Sequence, residues 1–258
     1  MVLKLRQHSP SHAKTMIIAI LSDIHANYQA LQAVLADIDN HGRVETIYTL
    51  GDNIGYGPQP EEVVRALRAR RARCVLGNHE LALRSAAYFR RLNFVVQHSL
   101  ELTRTLMSPD SLAFSAALPA FRIEQGCRFV HGCPPESITL YLHNPSATRL
   151  ERLFAAYPEH YCFYGHTHAF GRHVSDGLTC WSEPVEIGRS RLNDRWRYIN
   201  NVGSVGQPRD HKNNMAKYGL FDTSDHSLEI RALPYDVEKT VALLKKLGFH
   251  GTNASRLL

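Results

Sequence analysis

Met16-Ile17-Ile18-Ala19-Ile20-Leu21-Ser22-Asp23-Ile24-His25 is the stretch on which the fold turns. Its apolar run has no polar alternation, as expected of a strand covered on both faces. The run stops at Ser22-Asp23, so a carboxylate and an imidazole follow where the strand ends. Asn27 then offers a cap to a helix carrying Leu31, Val34, Leu35 and Ile38 at helical spacing. The same phrase recurs twice. Val44–Leu50 runs into Gly51-Asp52, Pro60-Glu61-Glu62 open an amphipathic helix through Val63 and Leu67 to Arg71, and Arg73–Leu76 runs into Gly77-Asn78-His79-Glu80. Strand and helix alternate over residues 16–80, the pattern of an α/β protein.

Residues 81–118 predict two or three helices, the last starting at Ser108-Pro109. They read as ordinary helical packing, with a lid or dimer surface as the alternative. Phe121–Glu124 and Cys127–Val130 flank Gln125-Gly126 as a hairpin, and the second strand delivers His131-Gly132. Asn144-Pro145 opens a helix through Leu150, Leu153 and Phe154. Tyr161–Tyr164 predicts a strand that ends in Gly165-His166-Thr167-His168. From about residue 169 the texture turns to strands, Arg195–Ile199, Lys217–Phe221 and Leu228–Ala232 among them, before Asp236 caps a last helix, Val237–Leu247. A β-rich second half after a βαβ first half predicts two facing sheets flanked by helices.

The chain has 258 residues and 44% hydrophobic content, enough for one sizeable core. No linker or repeat divides it, so residues 16–258 are expected to form a single domain. Residues 1–15 hold Lys4, Arg6, Lys14, His8, His12 and Pro10 without an acidic residue or a sustained period. They read as a disordered N-terminal extension, or as sequence upstream of the true start. The net charge of +6 includes their three cations. A body charge of about +3 does not argue for nucleic acid, though a mild positive field favours anionic substrates. The longest apolar run is too short to span a bilayer and lacks a cleavage site, so no membrane association and a cytoplasmic location are expected. The five cysteines show no Cys-x-x-Cys spacing and read as buried thiols in a reducing compartment. Oligomeric state is left open, a homodimer included.

Asp23, His25, Asp52, Asn78, His131, His166 and His168 are the donors that hydrolysis at two divalent ions requires: carboxylates able to bridge, neutral imidazoles and an amide oxygen. This mixed nitrogen and oxygen set suits Mn, Fe, Zn or Ni better than Ca, with Mn or Fe the preferred pair. The series Asp23-Ile24-His25, Gly51-Asp52-Asn53, Gly77-Asn78-His79-Glu80, Val130-His131-Gly132 and Gly165-His166-Thr167-His168 resembles the calcineurin-like metallophosphoesterase superfamily. The stretch Asn200–Arg209 and Pro234-Tyr235-Asp236-Val237 resemble a bacterial branch of it, grouped with diadenosine-tetraphosphatase-related and small phosphodiesterase-like proteins.

The resemblance implies a four-layer αββα sandwich of two mixed sheets flanked by helices. It implies that Asp23, His25 and His168 hold one metal, that Asn78, His131 and His166 hold the other, and that Asp52 bridges them. His79 would protonate the leaving oxygen or stabilise its charge. The implied reaction is hydrolysis of a small phosphodiester or a dinucleoside polyphosphate by a hydroxide shared between the ions. The alternatives are a nuclease, a protein Ser/Thr phosphatase, or a protein-binding scaffold on the same fold.

The chain departs from the protein-phosphatase pattern Gly-Asp-x-Val-Asp-Arg-Gly. Gly55 stands where an Asp would orient the catalytic His, and Tyr56 where an Arg would clamp phosphate. Arg209 is the candidate replacement for that Arg. Tyr56 either stacks on a base or caps the core. The glycines of Val202–Gly206 form either a tight turn or an active-site loop. His98, His143, His173, His211 and His226 are expected to lie outside the centre.

Overall fold

A computed structural model describes residues 16–210 and 213–258. The expectations for residues 1–15 and for His211 lie outside the described residues. The first half runs β1 (Ile17–Leu21), α1 (Tyr28–His41), β2 (Val44–Thr49), α2 (Pro60–Ala69), β3 (Arg73–Cys74), α3 (Asn78–Arg84), α4 (Ala86–Phe89), α5 (Phe94–Thr105) and α6 (Pro109–Ala116). A hairpin follows, β4 (Phe121–Glu124) and β5 (Cys127–Val130), then α7 (Ala147–Ala155) and β6 (Tyr161–Tyr164). The remainder is β7 (Phe170–Ser175), β8 (Cys180–Glu183), β9 (Gly188–Arg191), β10 (Arg197–Val202), β11 (Ala216–Asp222), β12 (Ser227–Leu233), α8 (Val237–Lys246) and α9 (Gly251–Ser255).

Two six-stranded sheets form, in the orders β3-β2-β1-β11-β12-β9 and β4-β5-β6-β10-β7-β8. In the first, β1, β2 and β3 are parallel, with Leu21 opposite Thr49 and Thr49 opposite Cys74. In the second, β5, β6 and β10 are parallel, with Val130 opposite Tyr164 and Asn200 opposite Phe163. The other pairings are antiparallel. Both sheets are therefore mixed.

β1 is apolar throughout because it is buried on both faces. Ile17, Ala19 and Leu21 pack on Leu31, Val34, Val63 and Leu67 of α1 and α2. Ile18 and Ile20 point the other way, into a layer between the sheets with Tyr48, Phe129, Phe163 and Phe221. On the far side of the second sheet, Val130, Cys162, Tyr164 and Ile199 pack on Leu150, Leu153 and Phe154 of α7. The layers are thus helix, sheet, sheet, helix, as the sequence implied. All five cysteines are free, and all but Cys180 are buried. No described helix is long and apolar enough to cross a membrane.

Residues 81–118 hold the end of α3 and three whole helices, because the Ser85 hydroxyl accepts the Tyr88 N–H at 3.2 Å, the Asn93 side chain accepts that of Val96 at 3.1 Å and Ser108 caps the last, each starting a new helix. One boundary differs from expectation. α7 begins after Ser146, whose hydroxyl accepts the Arg149 N–H at 3.3 Å, while Asn144 turns the chain at φ 38°.

Candidate metal centre

The five motifs converge because each begins within four residues of the C-terminal end of β1, β2, β3, β5 or β6. Those ends are tied within each sheet, Asp23 N–H donating to Gly51 O at 3.2 Å and Gly165 N–H to His131 O at 2.8 Å, and between the sheets, Gly206 N–H donating to Asp23 O at 3.0 Å. The turns out of the strands are sharp. Asp23, His25, Asp52, His166 and His168 all have positive φ, between 48° and 67°, a region that costs a non-glycine residue about 1–2 kcal/mol. Such strain clusters where side chains must be aimed at one point.

Both carboxylates follow one plan. Asp23 Oδ2 accepts the Ser22 hydroxyl at 2.5 Å and the His166 N–H at 3.1 Å, while Oδ1 is buried without a hydrogen-bond partner. Asp52 Oδ1 accepts the His79 N–H at 2.9 Å, while Oδ2 lies 3.7 Å from His25 Nε2 and 3.4 Å from His131 Nε2. One oxygen holds the scaffold and the other faces the imidazoles.

The imidazoles follow a plan of their own. His131 Nδ1 lies 2.7 Å from Leu50 O, His168 Nδ1 2.7 Å from Gln207 O, His25 Nδ1 3.3 Å from Ile54 O and His166 Nε2 3.3 Å from Thr139 O. A backbone carbonyl accepts only from an N–H, so each ring carries a proton on that side and, in its neutral form, turns a lone pair inward. The inward nitrogens pair at 3.1 Å, His25 with His168 and His131 with His166, and Asn78 Oδ1 lies 3.0 Å from His131 Nε2. Two inward lone pairs at 3.1 Å repel unless a cation or a shared proton lies between them. Donors about 2.1 Å from one ion are themselves about 3.0–3.4 Å apart, so these residues fit a metal. The clusters Asp23-His25-His168 and Asp52-His131-His166 could each hold one, with Asp52 Oδ2 between them.

Burial lowers His25 and His168 far below the usual range and His166 to about 3, which keeps them neutral, the form a cation binds. Burial pushes the Asp23 carboxyl up to about 6 against the pull of His131. Burial also opposes ionisation of Asp52, but His131 and His79 outweigh it and hold the carboxyl well down. For His131, burial lowers the pKa, yet Asp52 overrides it and raises the ring to about 9. His131 is therefore the ring from which a cation must displace a proton.

His79 stands beside the cluster, with Nε2 3.9 Å from Asp52 Oδ2 and Nδ1 buried without a partner. That Nδ1 faces Gly55, where a Cβ would come within 2.0 Å of it. Instead of a carboxylate, the Tyr56 ring packs edge-on against His79 at 4.5 Å and tilted against His25 at 4.7 Å. Tyr56 N–H donates to Ser99 Oγ at 2.5 Å, and Tyr56 O accepts from Asn253 Nδ2 at 3.0 Å.

The Val202–Gly206 glycine stretch lies in a clamp over the site. Val205 N–H donates to Ser22 O and Ser204 Oγ to Asp23 O, while Asn201 Nδ2 donates to Gly165 O and Thr167 Oγ1. Gly206 presses on the first turn so closely that a Cβ would meet Ile24 O at 1.8 Å. Gly206→Ala is expected to cost roughly 3 kcal/mol, because backbone must move to admit the methyl. Chemical denaturation measures it, and an unchanged midpoint would show that the clamp yields freely. Arg209 lies at the end of this loop. Its N–H donates to His168 O at 2.9 Å, one guanidinium nitrogen donates to Gln207 Oε1 at 2.7 Å, and Nε is buried without a partner.

A sequence profile described as "Calcineurin-like phosphoesterase superfamily domain" matches residues 16–226. The chain belongs to the calcineurin-like phosphoesterase superfamily. This calcineurin-like chain is 32% identical over 240 residues to an uncharacterized protein of Methanocaldococcus jannaschii, covering 89% of this chain and 92% of the other. The crystal structure of a metallophosphoesterase from Sphaerobacter thermophilus superposes with a TM-score of 0.79 at 31% identity, covering 95% of this chain and 98% of that one. A symmetrical bis(5'-nucleosyl)-tetraphosphatase of Hamiltonella defensa is 34% identical over 93 residues, 35% of this chain. The match spans only 33% of that tetraphosphatase's length. Membership makes this calcineurin-like chain a metal-dependent phosphoester hydrolase.

The structure brings Asp23, His25, Asp52, Asn78, His131, His166 and His168 together, with His79, Tyr56 and Arg209 at the edge. His98, His143, His173 and His226 lie outside the described metal-ligating clusters. Sequence reasoning missed two contributors. Glu80 accepts four N–H donors in the site's frame, and its position three residues past Gly77 in a helix-starting motif was the available signal. Tyr141 stacks on His166 at 3.7 Å and 18°, and no motif marks it.

Proposed function

We propose that this chain hydrolyses a small phosphodiester or a dinucleoside polyphosphate at a pair of divalent ions, Mn or Fe in preference to Zn or Ni. The observation that carries this reading is the set of four imidazoles, each tied to a carbonyl by one nitrogen and converging with the free oxygens of Asp23 and Asp52 through the other. Asp23, His25 and His168 would hold one ion, Asn78, His131 and His166 the other, and Asp52 both. The bound ions would supply an acidified water and neutralise the phosphoryl oxygens. The extent of the match to the tetraphosphatase supports the dinucleoside reading only over about a third of that protein's length.

The protein's own groups divide the remaining work. Arg209 brings positive charge that is felt at Asp23, His25, His79 and His168, and its unpartnered Nε suits a phosphoryl oxygen. His79 is neutral, because burial lowers it against the pull of Asp52, and Nδ1 has no acceptor. Its proton therefore sits on Nε2, aimed at the leaving oxygen. Tyr56 acts through His79 by fixing the ring where no carboxylate does.

A panel of monoesters, cyclic nucleotides, linear diesters and diadenosine polyphosphates, assayed with Mn, tests the substrate. Turnover of monoesters alone would overturn the reading. His79→Ala is expected to keep its metal content while kcat falls about 10²–10⁴-fold, the usual range for a lost proton donor. Full activity with metals retained would end the assignment.

A further inference from the structure

A short loop beyond β5 carries an aromatic ring that the hydrolytic chemistry does not require. Tyr141 lies nearly parallel over His166, 3.7 Å between ring centroids, yet remains 48% exposed. His143 continues the column, 5.1 Å from Tyr141 and 13° from parallel. The rings make a step leading from the metal cluster to solvent.

The loop under that step is firmly held. Gly132 N–H donates to Ser137 O at 2.9 Å, Cys133 N–H to Leu140 O at 2.8 Å and Arg149 to Tyr141 O at 3.1 Å. Leu142 is buried between the two exposed rings. A packing residue whose only task was to cover His166 would not leave so much ring in water. An exposed aromatic on a fixed backbone provides a flat surface at little entropic cost. Arg209, whose backbone N–H donates to His168 O at 2.9 Å, lies near enough for its charge to act on the Tyr141 phenol, so guanidinium and ring border the same cluster.

We propose that Tyr141, with His143 beside it, is the platform on which the nucleobase of a nucleoside phosphoester stacks while its phosphate lies at the metal cluster. The inference rests on the phosphoesterase reading above and narrows the substrate class to esters bearing a base close to the reacting phosphorus. Stacking of a base on an aromatic side chain is worth about 1–3 kcal/mol, roughly a 5- to 150-fold change in affinity.

The test is calorimetric titration of the Mn-loaded protein with AMP and with ribose 5-phosphate, which differ only in the base. The unmodified protein is expected to bind AMP at least about fivefold more tightly. Tyr141→Leu should bring the AMP affinity down to that of ribose 5-phosphate and leave the latter within about twofold of its starting value, and Tyr141→Phe should preserve the preference. Equal affinities in the unmodified protein, no binding of either ligand, or an equal loss of both in Tyr141→Leu would overturn the proposal. The last result would mean that the ring merely supports His166. Failure of the same preparation to hydrolyse any diester or dinucleoside polyphosphate, with the AMP preference intact, would end the substrate reading above and still support the platform.

Discussion

Asp52→Ala is expected to empty the centre, with bound metal falling from two ions per chain to fewer than one and turnover dropping by about three orders of magnitude or more. The size follows from several kcal/mol of transition-state stabilisation by the ions, at about 1.4 kcal/mol per factor of ten. Asp52 carries this weight because Oδ2 stands between the two clusters, 3.7 Å from His25 Nε2 and 3.4 Å from His131 Nε2. In the proposed arrangement its loss would remove a donor from both ions and leave their mutual repulsion without a negative charge between them. Oδ1 matters separately, since the His79 N–H then loses its acceptor at the start of α3. Metal analysis together with a bis-p-nitrophenyl phosphate assay checks both parts. Two ions retained in the alanine variant would refute the bridging role. Asp52→Asn keeps an oxygen that can ligate one ion, so it should retain more metal than Asp52→Ala while remaining nearly inactive.

Much of this arrangement could be read from the chain, for a definite physical reason. A strand buried on both faces appears as an unbroken apolar run, and the first polar residues after it mark where the strand ends. Asp23, Asp52, Asn78, His131 and His166 were legible on that ground, and parallel pairing within each sheet brings those ends to one edge. β9 was not, because Gly188–Arg191 is a short, mostly exposed edge strand whose Gly-Arg-Ser-Arg sequence has no apolar face. The positive φ values at Asp23, His25, Asp52, His166 and His168 were equally hidden, since none is a residue that advertises a left-handed turn as glycine does. Tyr141 lies in irregular backbone, where no periodicity assigns a side chain to a face. The Val202–Gly206 stretch showed its glycines but not its partners, which lie about 180 positions upstream at Ser22 and Asp23.

Glu80 shows how a residue inside a recognised motif can still hide its role, and Glu80→Gln is expected to be severe. An acidic residue in the first turn of a helix has an ordinary meaning, to favour the helix dipole and close a capping box. Here the carboxylate does more. Oε1 accepts the Asn53 N–H at 2.7 Å and its side-chain amide at 3.3 Å, while Oε2 accepts the Asp52 and Gly77 N–H groups at 3.0 Å each. One buried side chain thus joins the turn carrying Asp52 to the start of the helix carrying Asn78 and His79. Burial and the Asp52 charge push the Glu80 carboxyl up to about 7, toward its neutral form, but four donors converging on two oxygens require an acceptor on each. Glutamine discriminates between these pulls, because it has the shape of the protonated acid and cannot accept at both ends. If the carboxylate is the working form, Glu80→Gln sets an NH₂ group against two N–H donors, strands them in the interior and costs roughly 3–5 kcal/mol. Displacing Asp52 and His79 by even 1 Å should lower kcat by about 100-fold. Denaturation midpoints and kcat measured on the same protein check the two effects together. A glutamine variant with unchanged stability and turnover would mean that Glu80 is held protonated and that the joint between the two turns needs only one acceptor.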